Sequence, residues 1–186
     1  MNVQIVVRVD GRDVAEIVES IETLDALDLE EHVERIKRRA GRAMLEVGLT
    51  QLGESMGRPR CCGRPMESHG RRVITVTSRS GEVPIERARY RCLKCHAWRT
   101  PADAAICCGV HRVTRLLGKS ICQLATIEHF TRLEQLMADQ HGVHLGHDPM
   151  MELMHDVGAV IEERRLAMVA YQCDHAEHRP PAIHQP

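Results

Sequence analysis

Residues 61–100 read CCGRPMESHGRRVITVTSRSGEVPIERARYRCLKCHAWRT. A cysteine-bearing turn stands at each end, and between them lie two β-prone runs. Val73, Ile74 and Val76 form the first; Val83, Ile85 and Tyr90 form the second. Ser78–Glu82 supplies a Gly-containing turn between them, so the stretch predicts a β-hairpin. Cys61-Cys62-Gly63 then lies at one root of the hairpin and Cys92-Leu93-Lys94-Cys95 at the other. Two sulfurs in a C-x-x-C turn can share one ion, and a second pair on another turn completes a site. Turn, hairpin, turn is the plan of a zinc ribbon, in which four soft ligands hold Zn2+ tetrahedrally, with no open position and a structural role.

The first turn departs from the usual spacing. A C-x-x-C ending at Cys62 needs a cysteine at position 59, where Pro59 stands. Neighbouring residues in extended chain point to opposite faces, so Cys61 and Cys62 can both ligate only if a turn brings them together. The expected ligands are Cys62, Cys92 and Cys95 with Cys61 as the fourth; His69, His96, Cys107 and Cys108 are the alternatives. The competing reading makes these thiols small core residues without metal. In a chain read as cytosolic, close cysteine pairs favour metal over disulfides.

Working outward, charge is unevenly laid out. The whole chain has a formal net charge of -1. Residues 58–100, however, carry 11 basic side chains against 3 acidic ones, while the segments on either side are net acidic. Such asymmetry points to a polyanion partner. Arg71, Arg72 and Lys94 belong to this block, and Arg87, Arg89 and Arg91 alternate along the second strand, which puts all three on one face. An unpaired row of guanidiniums is costly to bury, so this face is expected to meet solvent or phosphate.

Before the ribbon, Val3, Ile5, Val7 and Val9 alternate with polar residues up to Asp10-Gly11, a hairpin turn dipeptide. Val14, Ile17 and Ile21 fit a second strand or the start of a helix. A long helix follows, with Asp28 as its expected cap and Leu29, Val33, Ile36, Ala40, Ala43 and Val47 as its apolar stripe. Lys37-Arg38-Arg39 reads as part of its solvated face. Gly57-Arg58-Pro59 ends it. After the ribbon, Thr100-Pro101 opens a connector that contains a second CCG at 107–109. Three helices are then expected, at about 113–125, 129–140 and 149–166. The first carries Leu116, Leu117, Ile121 and Leu124, and the last begins at Asp148-Pro149. They fit a helix-turn-helix, with Met150, Glu152 and His155 as candidate base-reading positions, or a plain helical bundle. The His- and Pro-rich tail from about residue 171 is expected to be disordered.

The fold class is therefore α+β, in four parts: 1–57, 58–100, 101–170 and the tail 171–186. No apolar run suits a membrane span, and the N-terminus lacks the features of a secretory signal, so the expected compartment is the cytosol. Aromatic residues make up only 2% of the chain, which argues against a stacking platform for single strands.

The motifs CCGRPMESHGRR, SGEVPIERARYRC and CLKCHAW resemble the N-terminal region of bacterial ISKra-family insertion-sequence transposases, which have Cys-Gly-x-Pro-Met, Gly-Arg-Arg, Gly-Glu-Val and Cys-x-x-Cys in this order. The resemblance spans about residues 1–170 and is specific in the ribbon. It implies a DDE transposase whose N-terminal part, a zinc ribbon and helix-turn-helix, engages element ends. It also implies Cys62, Cys92 and Cys95 as metal ligands. The catalytic carboxylates belong to a later RNase H-like domain and have no counterpart here, so a DNA-binding fragment without catalysis is expected. Its partner would be double-stranded DNA through Arg71, Arg72, Arg87, Arg89, Arg91 and Lys94, with a homodimer as a further association and neither membrane nor small-molecule substrate. Two other classes fit the residues: a zinc-stapled protein-interaction or dimerisation module, and a thiol oxidoreductase using Cys92 and Cys95. The oxidoreductase is disfavoured, because redox C-x-x-C motifs open a helix.

Overall fold

A computed structural model describes residues 1–22, 25–108 and 111–174, with backbone alone for the last four. The expected disorder of the tail falls on 175–186, outside the described residues; residues 171–174 continue a helix. The protein is α+β. An N-terminal strand pair and a long helix lead into a ribbon, which is followed by a helical block.

Strands β1 (Asn2–Val9) and β2 (Arg12–Ser20) pair antiparallel. Asp10 and Gly11 both have positive φ, 49° and 77°, the two-residue turn that matches strand twist. The segment from Val14 is thus strand. Helix α1 (Ala26–Ser55) is 30 residues long, about 45 Å. Its cap is Asp25, whose carboxylate accepts from Leu27 N–H at 2.8 Å; Asp28, the expected cap, lies one turn inside, where an acid suits the helix dipole. Ile36 packs on Val7 and Ile17 of the strand pair, and further along Leu45 and Leu49 pack on the ribbon core. Val33, expected in the apolar stripe, is 51% exposed. Its turn is fixed instead by polar anchoring. Glu19 of β2 accepts from His32 at 3.0 Å and meets Arg35 at 2.9 Å and Arg39 at 3.1 Å.

The ribbon begins with β3 (Arg60–Cys61) and β4 (Arg64–Pro65), a minimal hairpin. Its main hairpin is β5 (Glu67–Ser78) and β6 (Gly81–Arg91), antiparallel with a register shift between Ser68 and Arg71. Strand β7 (Trp98–Arg99) adds to β6. The supposed connector after Thr100 contains helix α2 (Pro101–Ile106), with Pro101 in its first turn, and β8 (Cys107–Cys108). Strand β9 (His111–Thr114) pairs with β8 and touches β5 in parallel at Thr77↔Val113, giving the sheet order β7-β6-β5-β9-β8. Ile74, Val76, Val83 and Ile85 of the hairpin pack with Ala102, Ile106 and Cys107 in one core.

Helices α3 (Arg115–Leu124), α4 (Phe130–His141) and α5 (His147–Asp174) form a second core around Leu117, Ile121, Leu133, Met137, Met150 and Leu153. Two expected assignments change here. Leu116 is 58% exposed, because Leu117, Gly118 and Ile121 form the inward face of α3. Met150 is completely buried in the same core, so it cannot read bases; Glu152 and His155 are exposed. Among the described residues, no helix is long and apolar enough to cross a membrane.

Candidate metal centre and the cationic ribbon

The first knuckle solves the problem of adjacent cysteines by reversing the chain. Cys61 pairs with Arg64, and the two residues between them, Cys62 and Gly63, have φ of 49° and 78°. This left-handed pair makes a type I′-like turn, for which Gly63 is the natural second residue. The turn swings both sulfurs to the same side, as extended chain would not. Met66, almost fully buried beneath it, donates its N–H to Pro59 O at 2.9 Å and closes the knuckle. The second knuckle closes through His96 N–H to Cys92 O and Cys92 N–H to Ala97 O, both 2.9 Å.

The four sulfurs of Cys61, Cys62, Cys92 and Cys95 all lie within 4.8 Å of one another and could hold a metal ion. Cys61 Sγ is 3.9 Å from Cys62 Sγ and 3.5 Å from Cys95 Sγ. Metal–sulfur bonds of about 2.3 Å in a tetrahedron require sulfurs about 3.8 Å apart, which these distances bracket. His69 and His96, two of the alternative fourth ligands, are engaged elsewhere. His69 meets the edge of Trp98, and His96 lies 3.5 Å from an Arg91 nitrogen. Cys107 and Cys108 belong to the cores behind the sheet.

Electrostatics distinguish the four thiols. The backbone N–H groups of Cys95 and Lys94 point at Cys92 Sγ and bring its pKa down to about 6. Cys62 is pushed up to about 12, chiefly by hydrogen bonds shared with Cys95 and Cys61, and Cys61 is raised by Cys95 and Cys92. Cys92 is therefore the thiol that ionises most readily, while Cys61 and Cys62 hold their protons beside it. Four adjacent anions would repel without a cation among them, so a bound cation is what full deprotonation requires.

The arginines do not all lie where alternation alone would put them. Arg87, Arg89 and Arg91 do share a face, but it is the face of Val83 and Ile85, which turns inward. Arg87 is largely buried and pairs with Asp103 of α2. Arg89 and Arg91 stack over Trp98, at 4.4 and 5.6 Å from the ring centre. The row is thus partly covered by its own fold, which offers it a carboxylate and an indole face in place of solvent. Arg71 is held between Glu54 of α1 at 2.6 Å and Glu86 at 3.2 Å, and this raises its pKa. Arg72 and Lys94 are exposed and have no carboxylate partner among the described residues. The same holds for Arg99, which the sequence places with the cations of the hairpin and second knuckle, and for Arg64, which the sequence reading did not single out; its position in the first knuckle was the available signal.

No protein-family model matches the chain, and no curated protein is similar to it.

Proposed function

We propose that the chain is a DNA-binding part of an insertion-sequence transposase, that zinc staples its ribbon, and that the knuckle end of that ribbon holds duplex DNA by the phosphates. The supporting observation is the four-cysteine cluster at the root of a hairpin whose end carries unpaired cations. The donor set is all sulfur and its spacing suits a tetrahedral ion, which favours zinc over hard cations. When bound, the ion fixes the two knuckles relative to each other. Arg64, Arg72, Lys94 and Arg99 are the cations free to meet phosphate, while Arg89 and Arg91 can reach it from their perch on Trp98. Arg71 and Arg87 serve mainly as internal ties to α1 and α2. Strand cleavage is not part of this reading.

Two measurements test it together. Metal analysis of the purified chain should give one zinc, and duplex affinity should fall with salt at a slope of about −0.9 per phosphate contact. Replacing Arg64, Arg72 and Lys94 by Ala should flatten that slope by about one unit for each cation lost. A metal-free folded protein removes the staple, and an unchanged slope removes the phosphate contacts. A second reading, a zinc-stapled interaction module, draws on α5, which leaves Val160, Ile161, Leu166, Met168 and Val169 exposed.

A further inference from the structure

Between the ribbon's far edge and the first half of α5 lies a cleft of about 920 Å³. One wall is an apolar stripe of α5: Val157, Val160 and Ile161 at helical spacing, with Arg164 one turn on. The opposite wall carries Arg112 of β9 and Arg115 of α3. Arg112 and Arg164 have no carboxylate partner among the described residues, and Arg115 reaches only the carbonyl oxygen of Ala104, at 2.5 Å. Asp156, the acid on the α5 side, is engaged by His111 at 2.9 Å. Along the cleft's side the Arg87–Asp103 pair leaves two buried atoms, Arg87 Nε and Asp103 Oδ1, without hydrogen-bond partners. The cleft thus combines surplus positive charge, exposed apolar surface and unmet polar groups. An occupant must bring carboxylates and aliphatic carbon on one face.

The same chain carries such a face. On the first turns of α1, Leu27, Glu30, Glu31 and Glu34 follow one another at steps of three, one and three residues, along one side of the helix. Leu27 is 64% exposed, and Glu30 and Glu31 have no basic partner among the described residues. Glu34 is already paired with Lys37 at 2.6 Å, and of the other basic residues at the margin Arg35 is committed to Glu19 and Arg38 lies against Gly142.

We propose that two copies of the chain associate by placing the acidic face of α1 from one copy into the arginine-lined cleft of the other, and reciprocally. Leu27 would pack on Val157, Val160 and Ile161, and Glu30 and Glu31 would face Arg112, Arg115 and Arg164. A two-fold pair satisfies both surfaces at once, as self-complementary interfaces do. The association needs neither DNA nor the metal cluster.

Sedimentation and light scattering of the full metal-bearing chain, without DNA, test this. At low salt the mass should rise with concentration from 21.0 kDa to twice that value, and high salt should reverse it. Arg112→Glu with Arg164→Glu should weaken the dimer by about tenfold or more, through like-charge repulsion. Adding Glu30→Arg and Glu31→Arg to that variant should restore it, with circular dichroism reporting that each variant stays folded. Val160→Asp is the independent apolar probe and should also give monomer. A wild type that is monomeric at all concentrations, a dimer indifferent to the arginine reversals, or a failure of the paired reversal to restore association would each overturn the proposal. None of these outcomes bears on duplex affinity, which is read separately.

Discussion

Two groups of cysteines in this chain begin with the same words, Cys-Cys-Gly, and end in different chemistry. At 61–62 the pair sits in a left-handed turn at the surface, across from the Cys92–Cys95 knuckle. At 107–108 the pair lies in a short strand, with Cys107 against Ile74, Val76 and Ile85 and Cys108 against the helical core. The first group has backbone N–H groups aimed at sulfur, and one thiol is brought down to about 6. In the second group, burial raises the thiols of Cys107 and Cys108, and that of Cys122 as well. The difference lies in the backbone conformation beneath the cysteines and in what surrounds the sulfur. A thiolate needs donors or a cation; a thiol in an apolar core is a small hydrophobe.

The largest expected effect breaks the comparison at its metal side. Cys92→Ser should abolish metal binding and melt the ribbon's knuckle end, since a structural zinc site supplies about 10–16 kcal/mol of apparent binding energy to the fold. Cys107→Ala should leave metal content unchanged. Elemental analysis with amide exchange of residues 58–100 reads both. Equal metal loss in the two variants would mean that the two groups are not chemically distinct.

A smaller effect tests the packing side. Cys107→Ser buries a hydroxyl among aliphatic side chains and should cost about 1–3 kcal/mol in denaturant unfolding. Gly118→Ala probes the same region through shape, because a Cβ there would lie 2.5 Å from Cys108 Sγ. Crowding of this kind costs about 1–3 kcal/mol, from which the helix preference of Ala returns up to about 1 kcal/mol. Neither substitution should alter metal stoichiometry.

The smallest effect is one of reactivity and pH. After chelation, iodoacetamide at neutral pH should modify Cys92 first, because its thiolate is already formed, and Cys107, Cys108 and Cys122 last. For those three the folded pKa is raised, so the folded state holds its protons more tightly than the unfolded chain. Their contribution to stability is complete below the ordinary thiol pKa of about 8.5 and is lost as pH rises through the folded values. Cys92 has the opposite sign in the metal-free chain. Its contribution is present above about 8.5 and is lost as pH falls through about 6. A single common alkylation rate would erase the distinction.

Much of this fold is legible along the chain. Alternation at Val3–Val9, the Asp10-Gly11 turn, the break at Gly57-Arg58-Pro59 and the stop at Gly142 all follow from local preferences, and local geometry honours them. The cysteine set is legible too, through C-x-x-C and its distance from the first knuckle. Whether Cys61 could join was not, because that depends on a positive φ at Cys62, where most residues other than glycine are strained. Periodicity put Val33 and Leu116 inside, and it put Met150 on the apolar run of the last helix without deciding between a place in the core and a base-reading role. Helical stripes admit a rotation of a residue or so, and only the partner surface selects one.

The arginine row shows where sequence gives way to tertiary structure. Sequence alone determined that Arg87, Arg89 and Arg91 share a face, since side chains alternate along any strand. Which way that face turns was decided by Asp103 and Trp98, brought in from α2 and β7 by the fold. Charge and spacing are properties of the chain. The partner that satisfies a charge is a property of distance in space, and it exists only once the chain has packed.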